Sequence, residues 1–286
     1  MPIVEIQHAA LDARVRMFRA GEEVDCFVVV TDSHVIVIDT FSTPEEALEM
    51  MEVIEPNLKT RELLVINTHQ HYDHTWGNSV FAADGEFPVP ILAHQNSKHH
   101  LEQQRTTLLE KQASDSRFAN VKIIAPTLYF SERCTINAED LSLELFPAFG
   151  HTNDQVAIWI PEIQTLLAAD ALEFPFPYVA SSGSLEQLLS TMHNLKSLKP
   201  KVIAPCHGGI HDARLIDQNL AYYAKLEARV RAKALPIEAL DLPDLPERLG
   251  FSFEDALAML GLETASDFYR DFHQRNCKTL LKHVNT

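Results

Sequence analysis

Thr68-His69-Gln70-His71-Tyr72-Asp73-His74 sets three imidazoles and a carboxylate close together, directly after the apolar run Leu63-Leu64-Val65-Ile66 and Asn67. Imidazole nitrogens and carboxylate oxygens are the usual donors to catalytic Zn²⁺ and related first-row ions. In extended backbone, alternate side chains point the same way. His69 and His71 can therefore face one ion, and Asp73 and His74, past the turn, a second. The chemistry expected of such a loop is water activation by cations, with no need for a serine or cysteine nucleophile. A lone histidine would not carry this reading in a chain that has 14. His8, His34, His94, His99, His100, His193, His211, His273 and His283 are assigned to the surface or to hydrogen-bonded core positions.

The elements that must position this loop read as alternating strands and helices. CFVVV and HVIVID, separated by Thr31-Asp32-Ser33, predict a hairpin. Thr43-Pro44-Glu45-Glu46 has the form of a capping box, with a helix to about Ile54. RELLVINTH is too apolar for a half-exposed strand and is placed centrally in a sheet. A polar helix is expected over Ser97–Ala113, between the strand VPILAH and a short β region near Leu128. Strands return at LSLELFPA, VAIWIP, TLLAAD and KVIAPCH. Ser184 to about Leu198 reads as a capped helix with Gln187 at N3. Ser181-Ser182-Gly183-Ser184 is taken as the loop leading into it, not as a nucleophile. No strand is expected after His211: a long helix runs to about Ala234, then a proline-spaced connector and helices ending near His283. The domain expectation is an αββα unit over residues 1–234 and a helical extension over residues 235–286, packed on the main unit.

His69-Gln70-His71-Tyr72-Asp73-His74 matches the HxHxDH signature, and the chain resembles the metallo-β-lactamase superfamily from about residue 20 to residue 210. Further pieces of that pattern follow in order, each after a strand-like run: Phe149-Gly150-His151-Thr152, Ala168-Ala169-Asp170 and Pro205-Cys206-His207-Gly208. Asp39, closing HVIVID, sits where the family often has a structural aspartate. The resemblance implies an α/β fold, an αββα sandwich of two mixed sheets with helices outside, carrying a helical C-terminal extension. It implies two divalent metal ions, zinc first, with manganese or iron as alternatives. His69, His71 and His151 would hold one, Asp73, His74 and His207 the other, and Asp170 would bridge them. Two cations at about 3.5–4 Å need an anion between them, and water shared by such ions ionises near neutrality. Asp73 and Asp170 are thus catalytic as well as ligating in this expectation. Cys206 stands where the family often has glycine and is read as a packed thiol. Lactone-cleaving members often place a tyrosine just after the bridging aspartate. The nearest here is Tyr178, in Phe174-Pro175-Phe176-Pro177-Tyr178, a candidate oxyanion donor.

Composition narrows the function. With 24 basic against 40 acidic residues and a net charge of −16, a phosphate-gripping face is disfavoured and so are nucleases. No run approaches the about 18 apolar residues of a membrane span. The four scattered cysteines and the absence of a signal-like N-terminus lead to the expectation of a cytoplasmic protein acting on small molecules. The expected reaction is hydrolysis of a small ester, thioester or lactone. The other readings are a glyoxalase II-like thioesterase, promiscuous β-lactam turnover, an iron-dependent sulfur dioxygenase and, last, a non-catalytic binding protein.

Overall fold

The computed structural model describes residues 1–285, and every side chain among them but that of Ser182. Seven strands form the first sheet in chain order: β1 (Ile3–Ile6), β2 (Val15–Ala20), β3 (Val24–Val30), β4 (His34–Ile38), β5 (Glu62–Ile66), β6 (Ile91–His94) and β7 (Leu128–Phe130). The first four pair antiparallel and the last four parallel, so β5 lies between β4 and β6 as its apolar sequence requires. The second sheet has the order β12-β11-β10-β9-β8, from β8 (Cys134–Asn137), β9 (Ser142–Pro147), β10 (Val156–Ile160), β11 (Thr165–Ala169) and β12 (Val202–Pro205). Only β11 and β12 in it are parallel.

Strand β10 shows why two layers of core form. Val156, Ile158 and Ile160 point into a core shared with the first sheet, while Ala157 and Trp159 point into one shared with helices. Every residue of β10 is buried, so the period-two alternation separates two cores and not core from solvent. On the first sheet lies α1 (Pro44–Leu58). Short α2 (Tyr72–Thr75) carries part of the histidine loop, and α3 (Leu101–Ser114) stands beside it. The second sheet is covered by α4 (Ser182–Ser197), α5 (Arg214–Lys233), α6 (Leu245–Leu249), α7 (Phe253–Ala258) and α8 (Asp267–Asn285).

Several local expectations are corrected. The capping box of α1 is only half made: Thr43 accepts from the Glu46 N–H at 3.3 Å, but Glu46 returns its carboxylate to the Ser42 N–H at 3.2 Å. Its other oxygen takes the N-terminal ammonium at 2.7 Å, which draws it away from Thr43. Helix α4 starts at Ser182, and Ser181 at its N-cap makes no side-chain capping bond. Ser184 lies inside the first turn, its Oγ 2.8 Å from that of Ser181. The 97–113 helix is a 3-10 turn over Gln95–His100 followed by α3. Strands β1, β2 and β8 were not anticipated. The last two alternate over too few residues to stand out, and β8 is an edge with two exposed positions.

Candidate metal centre

All four chemistry-bearing segments leave the ends of strands at one edge of the sandwich. After β4, Asp39 takes a left-handed conformation (φ 65°) and becomes the anchor of the histidine loop. One of its oxygens accepts the Thr68 N–H at 2.7 Å, and the other accepts the Thr68 hydroxyl at 2.6 Å and lies 2.9 Å from His74 Nδ1. Below them Asn67 and Asn78 exchange amide hydrogen bonds of 2.8 and 3.1 Å. The loop is therefore held by buried polar bonds from neighbouring strand ends, a rigid way to place short side chains.

His151 enters from the end of β9 through Gly150, whose φ of 134° and close approach to the Leu188 backbone leave no room for a Cβ. Asp170 follows β11. His207 follows β12, and next to it Gly208 (φ 95°) packs directly on the Phe174 backbone.

These segments bring two donor sets together. His69 Nε2, His71 Nδ1 and His151 Nε2 converge, with Nδ1 of His71 3.0 Å from each of the other two. Asp73 Oδ2 lies 3.5 Å from His74 Nε2 and 3.6 Å from His207 Nε2. One atom serves both sets: Asp170 Oδ2 is 3.5 Å from His69 Nε2 and His74 Nε2, 3.4 Å from His151 Nε2 and 3.3 Å from His207 Nε2. Donors bound at about 2.0–2.1 Å in a tetrahedral shell lie about 3.3–3.4 Å apart, so these separations fit ligation of a first-row ion. Three imidazole nitrogens around one point cannot all satisfy each other as donor and acceptor. Together with the unpartnered His74 Nε2 and Asp170 Oδ1, both buried, they need a cation between them.

Electrostatics separates the sets. Burial pushes His69 well below its usual range and lowers His71 and His151, the last to about 4, so the first set offers neutral nitrogens. In the second set burial opposes protonation too, but the carboxylates outweigh it. Asp170, Asp73 and Asp39 hold His74 well above its normal value, and Asp170 with its neighbours raises His207 to about 10.

Outward nitrogens are also held. His69 Nδ1 is 3.2 Å from Thr68 Oγ1, and since that hydroxyl donates to Asp39 the imidazole is the donor. His74 Nδ1 faces Asp39, and His151 Nδ1 lies 3.2 Å from the Tyr178 carbonyl oxygen. Such outer partners set which nitrogen is free to ligate. A further grouping, Asp39, His74 and Cys206, shares His74 with the second set. Asp39 already accepts two hydrogen bonds from Thr68, and burial drives the Cys206 thiol well above its normal range. Cys206 belongs to the inter-sheet core.

Tyr178 reaches the site by its main chain. Its ring lies against His151 and Phe272, under the Arg275 guanidinium. The 174–179 segment is fastened by α5 and α8: Tyr223 and Asn276 both donate to the Pro177 carbonyl, at 2.6 and 2.9 Å, and Asn276 Oδ1 accepts the Val179 N–H. Sequence reading missed Glu173 and Asp154. Both are buried, with neither carboxylate oxygen partnered, and burial raises both. An acid inside Ala171-Leu172-Glu173-Phe174 was the available signal. Beside His207 opens a cavity of about 310 Å³, bounded by Val24, Asp25, Phe174, Leu262, Ala265 and Tyr269 among others.

The family model described as the metallo-beta-lactamase superfamily matches residues 19–207, from β2 to His207. The chain belongs to the metallo-β-lactamase superfamily. Among superfamily relatives, a hydroxyacylglutathione hydrolase of Rhodospirillum rubrum is 24% identical over 268 residues, covering 85% of this chain and 93% of the relative. A metallo-beta-lactamase type 2 of Bacillus cereus is 24% identical, covering 66% and 68%. Among solved structures, a metallo-beta-lactamase from Pontibacter korlensis has a TM-score of 0.58 at 19% identity, covering 77% of this chain and 97% of its own. One from Erythrobacter litoralis has a TM-score of 0.58 at 14% identity, covering 76% and 98%. The αββα fold and membership among superfamily hydrolases are thereby shown. Helices α5, α6, α7 and α8 lie beyond the matched family segment. No described helix is long and apolar enough to cross a membrane.

Proposed function

We propose that this superfamily hydrolase is a two-metal enzyme that cleaves a small, moderately apolar ester, thioester or lactone. His69, His71 and His151 would hold one ion, Asp73, His74 and His207 the other, and Asp170 would bridge through Oδ2. The observation that carries this reading is the position of Asp170 Oδ2, 3.3–3.5 Å from four ring nitrogens belonging to both sets. Bound divalent cations, zinc first and manganese or iron next, would supply ionised water near neutral pH and polarise a carbonyl. The chain's own part is to hold three neutral imidazoles on one side and two carboxylates on the other. Asp73, whose side chain is 11% exposed against 3% for Asp170, is the carboxylate able to orient the attacking water. Tyr178 is kept as candidate donor to the developing oxyanion.

A relative named hydroxyacylglutathione hydrolase makes a glutathione thioester the second reading. The cavity beside His207 speaks against it. Glu22, Glu23 and Asp25 line its wall, and its one arginine, Arg19, already makes paired bonds of 2.6 and 2.7 Å to Asp25. A ligand with two carboxylates would meet repulsion there. The net charge of −16 likewise supports a small molecule over nucleic acid. Four free cysteines fit a reducing compartment such as the cytoplasm.

The deciding experiment is metal analysis of protein purified without added metal, with lactone, thioester, phosphodiester and β-lactam substrates assayed alongside, on the wild type and Asp170→Ala. Two ions per chain and lactone or ester turnover are expected, with both lost in the variant. Two retained ions and full turnover in Asp170→Ala would remove the bridging assignment.

A further inference from the structure

An unbroken series of ring contacts joins the two donor sets, and its middle comes from the C-terminal helix. Starting at His207, the centroid of Phe268 lies 5.9 Å away, tilted 33°. Phe268 meets Phe272 at 4.2 Å. Phe272 meets Tyr178 at 5.0 Å and 32°. Tyr178 meets His151 at 6.2 Å. One end rests on a residue of the second set and the other on a residue of the first, so the series forms a wall along one side of the site.

Phe268 and Phe272 are four apart on α8 and so share a helix face. That helix is firmly seated: Cys277, Leu280 and Leu281 are buried in the core, and His273 bonds Tyr222 and the Phe251 carbonyl. Yet Phe268 is 44% exposed, a large aromatic left in solvent within ring contact of a candidate metal ligand. Phe268 is not isolated, since the half-buried Phe272 and Tyr178 continue its ring face, and a contiguous apolar face beside a site is the kind of surface that takes a ligand. Phe268 itself does not line the cavity, but its ring touches His207 and Tyr269, which do, and the contact with the donor set commits the occupant to substrate.

We infer that α8 supplies an aryl-binding wall, Phe268 and Phe272 with Tyr178, that selects esters or lactones carrying a flat aromatic group. This inference rests on the hydrolase reading above for the bond that is cleaved. A flat ring gains offset or edge contact with successive rings and loses no internal rotations on binding, whereas a flexible alkyl chain must order each of its bonds.

The test uses the full-length, metal-loaded enzyme and two readouts. In turnover, β-phenyl-γ-butyrolactone is compared with γ-butyrolactone, two lactones that expel the same kind of primary alkoxide. In binding, 2-naphthoate is compared with butyrate by calorimetry, two carboxylates differing only in their apolar part. The wild type should favour the aryl member of each pair by about 10-fold or more, and Phe268→Ala should remove most of that preference at unchanged metal content. Phe268→Leu, which keeps apolar bulk without a flat face, should lose it as well. No aryl preference in the wild type, its survival in Phe268→Ala, or full retention in Phe268→Leu would overturn the inference. Should naphthoate discrimination follow these variants while no ester or lactone is cleaved, the wall stands and the hydrolase reading falls.

Discussion

His74 turns Nδ1 towards Asp39 Oδ2 at 2.9 Å, and this leaves Nε2 as the nitrogen facing Asp73 and Asp170. Asp39 is on a different strand end and touches neither donor set otherwise, so it positions His74 without ligating. Asp39→Asn should turn an amide towards the His74 N–H and weaken the second site by about 10–100-fold, the usual cost of losing such a partner. Ions retained per chain, after dialysis against graded chelator, would show one lost early and one kept. Equal retention of both would remove Asp39 from the positioning of His74.

Gly208 and Gly209 offer a matched pair of substitutions. Both have positive φ, 95° and 86°, but a Cβ on Gly208 would strike the Phe174 backbone, whereas on Gly209 its nearest neighbour is the Arg19 guanidinium at 3.5 Å. Gly209→Ala should cost only the backbone strain, about 1 kcal/mol. Gly208→Ala must also push the 174 segment from His207, and should cost about 2 kcal/mol or more and lower the second site's metal occupancy. Chemical denaturation and metal analysis of the two variants check the order. A reversed order would refute the crowding argument.

His273 gives the folded state an acid limb. It is fully buried, with Nε2 2.8 Å from the Phe251 carbonyl and Nδ1 2.9 Å from the Tyr222 hydroxyl. The carbonyl only accepts, so Nε2 carries the proton and the neutral ring accepts from Tyr222. Burial lowers its affinity for a second proton below the ordinary 6.5. The unfolded chain therefore binds more protons once the pH falls below about 6.5, and the stability contributed by the neutral ring, complete above that value, is lost as the pH drops towards the folded-state value. His273→Gln should flatten the difference in unfolding free energy between pH 7.5 and pH 5.5. An identical pH slope in wild type and variant would exclude His273 as its source.

Tyr178 presents two groups whose contributions can be separated, a carbonyl that holds His151 and a hydroxyl proposed as an oxyanion donor. Its main-chain oxygen accepts from His151 and survives any side-chain change. Tyr178→Phe keeps that bond and the ring, so metal content should hold while turnover on the best substrate falls by about 10–1000-fold, the scale of one lost oxyanion donor. Unchanged turnover would leave the hydroxyl without a catalytic part.

The histidine loop was legible because its donors fall within one short segment whose spacing itself limits where they can point. Strands such as Val156–Ile160 were legible because their residues suit a doubly covered sheet. Sequence alone placed Asp39, His151, Asp170 and His207 at strand ends in the family's order, and so determined which side chains are available. The charges packed around each ring were not legible: His69 and His74 are both fully buried, yet burial lowers the affinity of His69 for a proton while Asp170, Asp73 and Asp39 raise that of His74. Nor was the partner of each outer nitrogen, since Tyr178 offers His151 a carbonyl, which every residue has. Phe268 and Phe272 fall in a segment expected only to be helical, and a helix pattern shows which residues share a face and not what that face meets. Only tertiary packing, by laying α8 across the strand ends, set those rings beside His207 and Tyr178, since contacts between distant segments depend on how the layers stack.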